Sequence, residues 1–81
     1  MYYRVNEFIE ALGFNVLPAP MMAWLRQAEE ERLVKKKIIN GCVEFKFRLF
    51  KRKKAIAFLE EKYLNHSIKN NKKRVYKFNP M

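Results

Sequence analysis

The feature that most limits the fold of this chain is an Asn40-Gly41 pair between two β-prone segments, residues 34–39 and 42–50. Asn-Gly suits the two central positions of a type I′ turn, which require positive φ angles and match the twist of a β-hairpin. A two-residue loop also fixes the strand register, so that Ile39 faces Cys42 and the pairs continue outward from there. The sequence therefore predicts a β-hairpin over residues 34–50.

This register predicts a hairpin with two faces of opposite character. The apolar face collects Val34, Ile38, Val43, Phe45 and Phe47. The other face collects Lys35, Lys37, Lys46, Arg48 and one acid, Glu44. Lys36 falls on the apolar face, where a position at the edge of the sheet would let its amine reach water. Phe45 and Phe47 could stack on unpaired bases, but we expect them to pack beneath the helices.

Helical spacing of apolar residues predicts three helices around the hairpin. The first is short, near residues 7–12, with Asn6 as its N-cap and Gly13 as its C′ residue. The second runs from about Pro20 to Arg32, and its buried stripe is Met21, Trp24, Leu25 and Ala28. We expect Trp24 to belong to the core rather than to contact a ligand.

The third helix is predicted from about Arg52 to Leu64. Residues 65–81 lack apolar periodicity and are expected to form a flexible basic tail with anchors at Val75, Tyr76 and Phe78. The predicted fold is therefore a small α+β winged helix-turn-helix domain over residues 1–64, in the order helix, helix, β-hairpin, helix. A chain of 81 residues allows one such domain.

Positive charge is concentrated in one part of the chain. The formal net charge is +10, and residues 35–54 hold nine cations against one acid, a net of +8. Residues 65–81 add five cations, whereas residues 1–34 are net acidic. Such an asymmetric basic chain favours a polyanionic partner, with nucleic acid first among the candidates.

Three groups of residues are candidates for contacting nucleic acid. Lys35, Lys37, Lys46 and Arg48 share the basic hairpin face, from which they can reach phosphates. The densest basic run, Lys51, Arg52, Lys53 and Lys54, follows the hairpin. Arg26 and Gln27 can reach base edges, because Arg pairs with guanine and Gln with adenine. For each group, the alternative is an ordinary solvated surface.

The residue inventory argues against several other classes of protein. Cys42 is the only cysteine, which excludes an internal disulfide and a multi-cysteine zinc site. His66 has no partner at a catalytic or metal-ligand spacing, and two glycines cannot form a nucleotide-binding loop. We therefore expect no enzyme activity, cofactor or metal. Without an apolar span or a signal-like N-terminus, we expect a cytoplasmic protein that does not enter the membrane.

Several of these pieces resemble the excisionase family and the related MerR-like DNA-binding domains. They are Tyr2 and the short helix ending at Leu12, the segment 21–26 with its central Trp24, and Asn40-Gly41 followed by residues 43–45. The resemblance spans residues 2–64. It implies a second helix in the major groove of duplex DNA and a wing in the minor groove. One departure is that Met22 and Ala23 stand where the family usually has arginines.

The resemblance also implies a role in the cell. Excisionases are recombination directionality factors that bind side by side and bend DNA, so the basic tail is a candidate contact for an integrase or recombinase. A small phage or mobile-element transcription regulator, acting at the nucleoid of a bacterial or phage-infected host, is an equivalent expectation. Two alternatives stay open: an RNA-binding or ribosome-associated protein, and a phage-encoded protein-interaction module or inhibitor.

Overall fold

The computed structural model describes the backbone of residues 1–78 and the side chains of residues 1–66. The elements in chain order are β1 (Tyr3–Arg4), α1 (Val5–Leu12), α2 (Pro18–Glu30), β2 (Val34–Ile39), β3 (Cys42–Phe47) and α3 (Arg52–Phe78). The three strands form one antiparallel sheet in the order β1-β3-β2. The predicted α+β class and the order of the helices and hairpin are confirmed. None of the described helices has the length and apolar character needed to cross a bilayer.

The hairpin has the predicted turn and register. Ile39 pairs with Cys42, Lys37 with Glu44, and Lys35 with Lys46. Asn40 and Gly41 have φ angles of 51° and 80°, as a type I′ turn requires. Strand β3 ends at Phe47 instead of continuing to residue 50. The chain turns there, because the backbone N–H of Lys51 donates to the carbonyl of Arg48 at 2.9 Å.

Gly41→Ala is expected to lower the free energy of unfolding by about 1 kcal/mol. A Cβ built at Gly41 meets nothing within 4 Å, so the effect comes from the left-handed backbone conformation alone. Gly41→Asn is the matched control, since Asn tolerates a positive φ angle and should lose less stability. Urea denaturation measures both. Equal losses for the two variants would mean that the turn does not hold this backbone conformation.

The first strand was predicted only as an extended lead-in, yet it joins the sheet. Tyr3 pairs with Phe45 and Arg4 with Glu44, so β3 becomes the central strand. The pairing also corrects the start of α1, which begins at Val5 with Arg4, not Asn6, as its N-cap. Arg4 is held extended by the sheet, and its backbone N–H donates to Glu7 Oε1 at 2.7 Å.

Helix α2 begins and ends two residues earlier than predicted. Pro18 takes the first helical position after Leu17, and Pro20 fits within the same first turn because the N–H groups there need no intrahelical partner. Arg32 lies beyond the end of the helix, with a φ of 61°. Its N–H donates to the carbonyl of Glu29, and the N–H of Leu33 donates to that of Ala28. These bonds end the helix without a glycine.

The core lies between the three helices and one face of the sheet. Its buried residues are Val5 and Phe8 from α1, Met21, Trp24, Leu25 and Ala28 from α2, Val34 and Phe45 from the hairpin, and Ala55 and Leu59 from α3. The predicted stripe of α2 and the core position of Trp24 are thus confirmed. The Tyr63 ring stacks on that of Phe14 at 4.2 Å between centroids, which fixes α3 to the loop before α2.

Helix α3 begins at Arg52 as predicted but continues to Phe78, which corrects the predicted end at Leu64. The chain has neither Gly nor Pro between Gly41 and Pro80, so no residue of the kind that ends helices follows Leu64 before Pro80. The anchors predicted at Val75, Tyr76 and Phe78 lie outside the residues whose side chains are described. The domain boundary after residue 64 stays a prediction.

Candidate nucleic-acid interface

The sheet carries its cations on the face away from the core. Lys35 and Lys46 are direct cross-strand partners, and Lys37 stands opposite Glu44. Lys35 and Lys37 are exposed, whereas Lys46 and Arg48 are half-buried. Lysines opposite each other repel, so this pair weakens the hairpin slightly rather than supporting it. The observed register puts Lys35, Lys37 and Lys46 on one face, whereas Arg48 lies one residue past the end of β3 and opens the following turn.

An aromatic ring holds two of these lysines. The Tyr2 ring centroid lies 5.3 Å from Lys37 Nζ and 5.2 Å from Lys46 Nζ, within the range of a cation–π contact. Tyr2 reaches this position because Tyr3 pairs with Phe45, which sets Tyr2 beside Lys46. Sequence reasoning missed this role, since it depends on the pairing of β1. The ring orients both ammonium groups without neutralising them.

The single acid on this face is neutralised from the neighbouring strand. Glu44 Oε2 lies 3.8 Å from Arg4 Nε, and the Glu44 side chain is 17% exposed while that of Arg4 is 66% exposed. An ion pair with one exposed partner adds little to stability. Its effect here is electrostatic, because Arg4 offsets the one charge that would repel a phosphate from this face.

The basic run joins this face through the turn after β3. The Lys51 N–H to Arg48 carbonyl bond brings the two residues together, and the Ala55 N–H donates to the Lys51 carbonyl at 2.8 Å as α3 begins. The first turn of α3 has no acid. Its backbone N–H groups add partial positive charge of the same sign. We call the hairpin face and the basic run together the basic surface: Lys35, Lys37, Lys46, Arg48, Lys51, Arg52, Lys53 and Lys54. Arg52 also lines a cavity with Tyr3, Glu7 and Phe47, so its side chain lies on the α1 side of the sheet.

The cations of the basic surface are free of ion pairs within the described residues, although Arg48 is half-buried and its Nε is buried without a hydrogen-bond partner. Two ion pairs occur among the described side chains, Arg4 with Glu44 and Lys36 with Glu29, and neither includes a member of this surface. The tip of the hairpin, residues 39–42, is uncharged. The basic surface therefore lies at the other end of the hairpin, where β2 begins and β3 ends. The strongest positive potential is therefore expected at the hairpin root and the start of α3, not at the wing tip.

Arg26 and Gln27 form a separate group. Both are exposed on α2, on the side turned away from its buried stripe. Helix α2 contacts β2, and Glu29 Oε1 lies 3.8 Å from Lys36 Nζ, which shows how this lysine is accommodated on the apolar face at the edge of the sheet. No described contact joins Arg26 or Gln27 to the basic surface. Glu30, one helical turn after Arg26, adds a negative charge to the same side of α2.

The aromatic rings of β3 pack inside the protein. Phe45 is buried, and Phe47 is half-buried with its ring 5.5 Å from that of Phe8. The expectation that these rings pack beneath a helix is confirmed. Two exposed apolar side chains follow them: Leu49 and Phe50 protrude from the turn that joins β3 to α3. They were predicted as part of the strand, and no signal in the sequence alone set them apart. Ile38, predicted on the apolar face, is exposed as well.

No protein-family model, curated protein or solved structure matches this chain. The resemblance to excisionases therefore stays a prediction from the residues given above. What the chain can bind follows from the charge, exposure and geometry of the basic surface.

Proposed function

We propose that this protein binds duplex DNA through the basic surface. One observation carries the proposal: the hairpin register puts Lys35, Lys37 and Lys46 on one face, the single acid of that face is paired with Arg4, and the turn after β3 leads directly into the basic run at the start of α3. Cations that are not engaged in ion pairs can each neutralise a phosphate and release a condensed counterion. The start of α3 adds backbone N–H groups, which favour anions.

The proposed binding is mainly electrostatic. Contacts to phosphates position a protein on DNA but carry no sequence information. Arg26 and Gln27 are the candidates for reading base edges, and they lie apart from the basic surface next to Glu29 and Glu30. We therefore propose strong dependence on salt, modest selectivity for sequence, and a secondary role for α2.

We further propose a winged helix-turn-helix architecture with an excisionase-like role. The order of two helices, a hairpin and a third helix supports it, as does the resemblance centred on Trp24 in α2. In this role the protein would act as several protomers on duplex DNA, either as a recombination directionality factor beside an integrase or as a small regulator of a mobile element. Charge-dominated binding with little base reading suits a protein that shapes DNA.

A salt titration with a duplex DNA oligonucleotide tests DNA binding. The logarithm of the association constant should fall linearly with the logarithm of salt concentration, with a slope of roughly −4 to −6 if five to seven phosphates are contacted. Lys46→Ala with Arg48→Ala should make that slope shallower by about 2. The charge-matched control is Lys36→Ala with Lys62→Ala, which removes two cations outside the basic surface, one of them paired with Glu29, and should leave the slope unchanged.

The same titration distinguishes DNA binding from the two alternatives, an RNA-binding protein and a protein-interaction module. Equal or tighter binding to duplex RNA than to duplex DNA would contradict a DNA-binding role. An unchanged slope in the Lys46 and Arg48 variant would remove the hairpin face from the interface. A partner protein captured in high salt, together with weak DNA binding in low salt, would favour a protein-interaction module, since packed apolar interfaces survive salt better.

A further inference from the structure

Two large apolar side chains protrude from the turn that joins the two parts of the basic surface. Leu49 is 80% exposed and Phe50 is 92% exposed. They occupy the centre of the turn that the Lys51 N–H to Arg48 carbonyl bond closes, so a cation flanks them on each side. Single exposed apolar residues are common on protein surfaces. Two adjacent ones on a turn, surrounded by cations, need a further explanation.

The backbone conformation of Phe50 is a second unusual feature of this turn. Its φ angle is 65°, in the left-handed region where a bulky residue is strained and glycine is relaxed. The Phe50 ring contributes nothing to the core from this position. The chain therefore keeps a strained aromatic residue in a place where the fold itself would be better served by glycine. A strained residue that does not stabilise its own fold motivates a functional role.

The surrounding charge identifies the partner. Two side chains are too small to anchor a standard protein–protein interface, which buries about 800 Å² on each partner. In duplex DNA, by contrast, an apolar base stack lies directly behind the phosphates that the flanking cations attract. Proteins that bend DNA insert Phe or Leu side chains between base pairs in this way.

We propose that Leu49 and Phe50 form a wedge that inserts between adjacent base pairs of DNA held on the basic surface. This wedge rests on the proposed function, DNA binding by the basic surface, and adds an apolar contact between the protein and the bases. Arg48 and Lys51 hold phosphates on either side, while the Phe50 ring replaces part of the stacking at one base step. Opening a step on one side kinks the duplex, so the wedge supplies the bend that an excisionase-like role requires.

The test uses Phe50→Gly and Phe50→Asn, both of which accept a positive φ angle. Neither variant should lower the melting temperature of the protein, because no buried contact is lost. Affinity for a duplex with one central mismatch, where unstacking is easiest, should fall about tenfold, the effect of losing one aromatic contact to a base. The salt slope should stay the same, since no cation is removed. Leu17→Ala is the matched control, an apolar side chain that is 74% exposed at the start of α2.

The direct readout is a 2-aminopurine base placed next to the mismatch. The wild-type protein and the Leu17 variant should raise its fluorescence by unstacking it, and the Phe50 variants should not. Salt-dependent binding by all four proteins, with equal affinity and equal fluorescence, overturns the wedge while leaving DNA binding intact. If the wild-type protein binds no duplex, both proposals fail. If the Phe50 variants bind DNA normally but lose binding to phosphatidylglycerol vesicles, the two side chains insert into lipid and the wedge is again wrong.

Discussion

Lys53→Glu combined with Lys54→Glu is expected to weaken duplex DNA binding by about 100-fold at 0.1 M salt, because two phosphate contacts become two repulsions. Both lysines are exposed in the first turn of α3, next to the turn that carries Leu49 and Phe50. The slope of the salt titration should become shallower by about 2. Fluorescence anisotropy with a labelled duplex measures the affinity and the slope in one experiment.

The same two substitutions are expected to stabilise the fold. The first turn of α3 has no acid, and its cations oppose the positive end of the helix dipole. Two glutamates there should raise the free energy of unfolding by about 0.3–1 kcal/mol each. Binding and stability should therefore change in opposite directions. This pattern distinguishes the loss of a DNA contact from misfolding of the protein, which would lower both DNA affinity and the free energy of unfolding.

A control with the same change in net charge completes this experiment. Arg26→Glu with Lys62→Glu reverses two cations on α2 and further along α3, where Lys62 Nζ lies over the Phe58 ring at 5.3 Å. We expect it to weaken binding less than the Lys53 and Lys54 variant does, through the secondary contact of α2 and long-range repulsion. If this control loses as much affinity as the Lys53 and Lys54 variant, net charge and not the basic surface governs binding. If it loses more, α2 is the main DNA contact.

The hairpin and its basic face were predictable because their determinants are local. Asn40 and Gly41 dictate the turn, the turn dictates the register, and alternation then sorts the side chains between the two faces. The buried stripe of α2 was predictable for the same reason, since helical spacing brings Met21 and Trp24 to one side. Each of these inferences needs only neighbours within a few residues.

The features that the sequence did not predict depend on contacts between residues far apart in the chain. Strand β1 has two residues and pairs with β3 about forty positions away, so neither the pairing nor the place of Tyr2 between two lysines could be read from its sequence. Leu49 and Phe50 continue the apolar alternation of β3 and were therefore assigned to the strand. Only the turn closed by Arg48 and Lys51 shows that they leave the sheet and protrude.

Three locally unfavourable features coincide at the proposed site, whereas the left-handed conformation of Arg32 serves to end α2. Cations crowd the start of a helix, two lysines face each other across strands, and a phenylalanine takes a left-handed backbone conformation. Each feature lowers stability, and all three lie at or beside the basic surface. Folding preferences and local sequence usually agree, and functional sites are where they are expected to conflict. The conflict supports the same surface that charge alone indicates.

Phe45→Ala is expected to lower the free energy of unfolding by about 3–5 kcal/mol, the usual loss for a large aromatic residue in a core. Phe45 is 0% exposed, lies on the central strand, and pairs with Tyr3 on one side and Lys36 on the other. A domain of 81 residues is expected to have a total stability of roughly 4–12 kcal/mol. The variant should therefore unfold at a much lower urea concentration than the wild-type protein. If the wild-type stability is near ~4 kcal/mol, the variant should be largely unfolded without urea.

Phe50→Ala is the matched control, because it removes the same ring from a position that is 92% exposed. Its free energy of unfolding should stay within about 0.5 kcal/mol of the wild-type value. Phe45→Ala should also lose DNA affinity as it unfolds, since the register anchored by Phe45 keeps Lys35, Lys37 and Lys46 on one face. Similar stabilities for the two variants would mean that Phe45 is not central to the core. The basic surface would then lack the apolar support that holds its cations together.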